Sequence, residues 1–77
     1  MQRAELVFVY GREEEAAMVA ELLELDNRLA QGKLRVTTRA EGVKVVSRVE
    51  HPELHTLFAT VHDLLFCERL ISDMLEV

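Results

Sequence analysis

The stretch from Pro52 to Val77 constrains this chain most, because after Pro52 it contains neither glycine nor proline and so predicts one unbroken helix of about seven turns. His51-Pro52-Glu53 marks its start: proline at the first helical position loses an amide that would be unpaired there, and glutamate suits the positive end of the helix dipole. At 100° per residue, Leu54, Leu57, Phe58, Val61, Leu64 and Leu65 form one apolar face, backed by His55, Thr56, Thr60, His62 and Asp63. Beyond it, Phe66, Cys67, Leu70, Ile71, Met74, Leu75 and Val77 centre on a direction swung round by nearly half a turn, while Glu68, Arg69, Ser72, Asp73 and Glu76 take the side that was apolar. One small core cannot easily lie on both sides of a straight helix. The expectation is that one half packs on the chain's own sheet and part of the other meets a second helix, either the chain's own first helix or a partner's.

A chain of 77 residues is expected to form one domain spanning 1–77, and a body this small buries only about 60% of the surface its unfolded chain exposes. Yet 49% of its residues are apolar, which predicts that association covers part of that surface. A lone cysteine, Cys67, cannot form an internal disulfide, and neither a signal-peptide pattern nor a membrane-spanning run is present, so the expected location is the cytoplasm.

Upstream, Ala4 to Tyr10 is a strand of β-formers, broken by Gly11. Arg12-Glu13-Glu14-Glu15 opens a helix running to about Leu25 or Leu29, with a wide apolar surface on Ala16 to Leu25 and with Glu14, Glu21, Glu24 and Arg28 toward water. Leu34 to Ala40 and Val43 to Val49 are strands joined at Glu41-Gly42, a tight hairpin. If Ala40 faces Val43, then Thr38 faces Val45, Val36 faces Ser47 and Leu34 faces Val49 on one side; on the other, Arg39 faces Lys44 and Arg35 faces Arg48. The order βαββα, with a crossover helix after the first strand, is satisfied most simply by inserting the third strand between the first two. That gives an α+β fold: a three-stranded antiparallel sheet with both helices on the Leu34, Val36, Val45 and Val49 face and both outer strands as free edges.

Charge is uneven. Residues 33 to 48 carry +4 and the remainder −9, so Lys33, Arg35, Arg39, Lys44 and Arg48 form a basic island in a chain of net charge −5. Like charges across a strand pair are mildly destabilising, so these residues either meet acidic groups, Glu5 or a partner's, or contact phosphates of a nucleic acid such as tRNA. The open face lacks aromatics for base stacking, and the chain lacks a GXXG loop. His51 and His55 have metal-ligand spacing but no third ligand follows; a capping His51 and a surface His55 fit better. His62 beside Phe58 and Phe66, and Cys67 on an apolar face, fit packing roles. No phosphate-binding glycine loop, paired carboxylates or nucleophile with its base is present, so the expectation is a non-enzymatic chain with no catalytic residue, metal or cofactor. A small-molecule-binding role would rest on fold analogy alone.

The helix ending in Leu25-Asp26-Asn27 and the run LHTLFATVHDLLFCERLISDMLEV, set in the order βαββα, resemble the small CTAG/LAGE-like subunit family of the KEOPS complex. The long helix of that family reads Leu-Arg-x-x-apolar-Asn-Ser-aromatic-Leu. Here Leu57, Val61 and Leu65 keep the apolar frame, and Met74-Leu75-Glu76-Val77 resembles its acidic-apolar end; Phe58, His62 and Leu64 depart from the arginine, asparagine and aromatic positions. The resemblance implies a scaffold subunit of the machine that places threonylcarbamoyl on a tRNA adenosine. In that family the helices bundle with helices of the catalytic ATPase-fold subunit and sheet edges pair two small subunits, as a homodimer or, for a diverged archaeal paralogue, as a heterodimer with the usual subunit. The departures point to the paralogue. On this reading the partner-binding helix face is Met18, Leu22, Leu25, Phe66, Leu70, Ile71 and Met74.

Overall fold

The computed structural model describes residues 1–27 and 32–75, in the order β1 (Gln2–Val9), α1 (Glu13–Asn27), β2 (Arg35–Glu41), β3 (Lys44–His51) and α2 (Leu54–Leu75). The sheet order is β1-β3-β2 and both pairings are antiparallel, so the last strand inserts between the first two as the α+β reading requires. Extension of α1 to Leu29 and of α2 to Val77 lies outside the described residues.

Alternation along the strands separates two faces. Ala4, Leu6, Phe8, Val36, Val45 and Val49 face the helices and join Ala16, Val19, Ala20, Leu23, Leu57 and Leu64 in one core. Buried Ser47 sits among them with its hydroxyl satisfied at 2.8 Å by that of Thr38 across the strand pair. The small side chains of Ala16 and Ala20 let α1 come close to the sheet, where Val19 and Leu23 are wholly buried.

The β2–β3 register departs from expectation by two residues. Glu41 faces Lys44, Ala40 faces Val45, Thr38 faces Ser47 and Val36 faces Val49, leaving Gly42-Val43 as the two-residue loop in place of Glu41-Gly42. The reason is backbone conformation: Gly42 has φ of 61°, and a two-residue loop with glycine first matches the twist of the flanking strands without forcing Glu41 to a positive φ. A two-residue shift keeps every side chain on its expected face. It does change the neighbours: Arg39 lies opposite Val46 rather than Lys44, and Arg35 opposite Glu50 rather than Arg48.

The course of α2 also departs from expectation. Its inward line runs straight through buried Leu57 and Leu64 and half-buried Val61, Cys67, Ile71 and Leu75, so the last three do not swing away with Phe66, Leu70 and Met74. Leu54, Phe58 and Leu65, expected on the buried face, are exposed, because the contact between a helix and a small sheet is narrower than the apolar arc the sequence supplies. The helix is entered through a turn in which His51 Nδ1 accepts the Glu53 amide at 2.9 Å, and the Glu53 carbonyl takes the first helical bond. Pro52 therefore precedes the helix rather than occupying its first position.

Candidate interaction site

Three surfaces hold the residues singled out from the sequence. The first is a groove between α1 and α2. Tyr10, just after β1, and Glu15 in the first turn of α1 lie beside Glu68, Ser72 and Leu75 late in α2. Between the helices, Leu22, Leu23, Cys67, Leu70, Ile71 and Met74 line an apolar depression of about 270 Å³. Of the seven residues expected on the partner face, Met18, Leu22, Leu25, Phe66, Leu70 and Met74 are exposed, with Met74 66% and Leu25 54% accessible, whereas Ile71 is half-buried against the core. Three facts about the helices create this surface: α1 presents Ala16, Val19 and Leu23 to the sheet, α2 presents Leu57 and Leu64, and each helix carries a second apolar line about a third of a turn further round. Covering such a half-exposed leucine or methionine is worth about 1 kcal/mol.

At one end of the groove the Tyr10 hydroxyl donates a hydrogen bond to the Glu68 carboxylate. Burial first, then the Glu68 hydrogen bond and charge and the charge of Glu15, push the Tyr10 phenol above its ordinary value. Glu68 is thus a half-buried carboxylate on the inward line of α2, and the polar break it makes in that line is visible in the sequence although its partner is not.

The second surface is the sheet edge. At β2 the Thr38 amide donates to Glu24 Oε2 of α1 at 3.0 Å, so Glu24, expected toward water, instead satisfies a backbone donor on the outer side of that strand. At β1, the Tyr10 amide donates inward to the Val43 carbonyl at 2.9 Å. Donors alternate in direction along an antiparallel strand, so the amides of Arg3, Glu5, Val7 and Val9 point outward from the β1 edge. No side chain among the described residues bonds to them. Nothing short of the fold could show this asymmetry.

The third surface is the open sheet face. Arg48 meets Glu5 at 3.1 Å and Arg39 meets Glu41 at 2.6 Å, so two of the five cations of the basic island are matched by carboxylates within the chain; outside the island, Arg3 meets Glu50 at 3.4 Å. Arg35, Lys44 and Lys33 are exposed and form no ion pair among the described residues. Val46, centred on this face between Val7 and Arg39, is nearly inaccessible. The structure does not gather the histidines with a third ligand: among the described residues no group of three or more His, Cys, Asp or Glu side chains could hold a metal ion. No helix is long and apolar enough to cross a membrane, among the described residues.

These features define a βαββα α+β domain whose two helices share one face of a three-stranded sheet and whose apolar exposure is concentrated on those helices. The same architecture is found in a chain of the crystallised binary complex Gon7–Pcc1, which superimposes with a TM-score of 0.86 over 97% of this chain and 93% of that one, at 16% sequence identity. No protein-family model matches the sequence, and no curated protein matches it.

Proposed function

We propose that this chain is a non-catalytic scaffold subunit of the KEOPS complex, which makes threonylcarbamoyladenosine in tRNA, and that it acts by pairing with a like small subunit. The carrying observation is the near-complete fold likeness to a chain of the Gon7–Pcc1 complex, itself an assembly of two proteins. Two features of this chain suit the role. The β1 edge offers outward amides to an incoming strand while Glu24 occupies a donor on the opposite edge, and the α1–α2 groove offers apolar surface to helices of a second partner such as the catalytic ATPase-fold subunit. Phe58 and His62, which replace the polar residues of the family pattern, stand on the exposed side of α2, which favours a diverged paralogue that forms a heterodimer over the usual homodimerising subunit.

Co-expression with the usual small subunit and with the catalytic subunit, followed by light scattering of the purified species, tests this. A one-to-one heterodimer with the small subunit is expected. A homodimer that ignores the small subunit would make this chain the usual subunit itself, and a monomer persisting in every mixture would overturn the scaffold reading.

A further inference from the structure

The apolar groove between the helices has a charged border, and its sign specifies what lies in it. α1 carries six acidic residues and no basic one. At helical spacing, Glu14 and Glu21 lie just beyond Met18 and Leu25 on the outer bank, and on α2 Asp63 stands one turn before Cys67 on the groove side. Each of these three is exposed and forms no ion pair among the described residues, whereas the nearby carboxylates Glu15 and Asp73 are matched by Arg12 at 3.3 Å and Arg69 at 3.6 Å. An apolar floor with unmatched negative charge along its α1 bank and at the N-terminal end of its α2 line is complementary to one kind of ligand.

We propose that the groove binds an amphipathic helix of another protein whose apolar stripe is flanked by lysine or arginine. The inference rests on the reading of this chain as a scaffold and adds the chemistry by which it selects a partner. The partner's leucine-sized side chains enter between Leu22 and Leu70 while its cations reach Glu14 and Glu21 along α1 and Asp63 at the N-terminal end of the α2 line. A helix with acidic flanks is rejected by the same border.

The test uses the full chain and two labelled synthetic helical peptides with one shared leucine-alanine stripe, one flanked by Lys and Arg and the other by Glu, titrated by fluorescence anisotropy at low and at raised salt. The basic peptide is expected to bind at least about tenfold more tightly at low salt, with the preference shrinking as salt screens it. Glu14→Gln with Glu21→Gln should cut that preference severalfold, and Leu70→Asp should abolish binding although it makes the groove more negative. Met74→Ala, a milder change at an exposed site, should weaken binding without affecting the circular dichroism spectrum. Equal affinity for the two peptides overturns the proposal, as does full binding to Leu70→Asp, which would reduce the effect to attraction by net charge. Heterodimer formation with a small subunit, measured by light scattering on the same preparations, reads the scaffold role separately.

Discussion

The hydroxyl of Tyr10, the residue that follows β1, donates to the carboxylate of Glu68 near the end of α2, joining two elements 58 residues apart in the chain. Both groups are half-buried, and the bond fixes the C-terminal part of α2 over the end of the strand where apolar packing thins out.

Replacing Tyr10 with phenylalanine should lower stability by about 1–2 kcal/mol, since it strands a half-buried carboxylate. The difference should depend on pH. In the folded chain the phenol is held above its ordinary value near 10, so unfolding above that pH releases a proton and stability falls as pH rises. The stabilisation is therefore fully present below pH about 10, and the gap between wild type and Tyr10→Phe should narrow above it. Urea titrations at pH 8 and at strongly alkaline pH measure this directly; a constant gap would remove Glu68 as the partner in solution.

Leu57 and Phe58 are adjacent on α2, yet one is 2% and the other 60% accessible. Leu57→Ala should cost about 2–4 kcal/mol through lost burial and a residual cavity, and Phe58→Ala less than about 1 kcal/mol. Thermal melts of the two variants decide it. If Phe58 proved the costlier loss, α2 would be rotated about its axis in solution.

Val7→Pro removes an outward amide of β1 without touching a bond to β3, because proline is tolerated at a strand edge. If the chain pairs through β1 as proposed, the variant should keep its far-ultraviolet spectrum while losing the proposed heterodimer in gel filtration. Glu24→Ala should do the opposite at the other edge: it costs about 1 kcal/mol by freeing the Thr38 amide and leaves the pairing intact. Loss of pairing in Glu24→Ala with pairing retained in Val7→Pro would move the interface to β2.

The ion pairs of the open face set an expectation for nucleic acid as well. Arg35→Gln with Arg39→Gln should leave any tRNA titration of the isolated chain within about twofold and its salt slope unchanged, because two exposed cations flanked by carboxylates add little phosphate contact. A clearly flatter slope would assign Arg35 a phosphate.

Periodicity alone exposed much of this architecture. Alternation along Val43 to Val49 marked the buried face, and the absence of any breaker after Pro52 marked the long helix. What it misjudged has local causes. The hairpin register turned on which loop position takes the positive φ, and Gly42 could serve either of two loops until the backbone was seen. The helical wheel located Phe66, Leu70 and Met74 on a second face but assigned Ile71 to it as well, since a residue on the boundary between two apolar arcs is placed by the neighbour it meets. Glu24 and Tyr10 gave no signal at all: their partners, Thr38 and Glu68, are distant in the chain, and nothing in either side chain's type names them.

The bond from Glu24 to Thr38 also bears on how large an assembly this chain can build. A sheet open on both margins can recruit neighbour after neighbour without limit, as fibrils do. With one donor of the β2 margin occupied from within, the β1 margin is the freer of the two for a visiting strand, and this inequality favours a finite particle over a fibre for a monomer this rich in uncovered hydrocarbon.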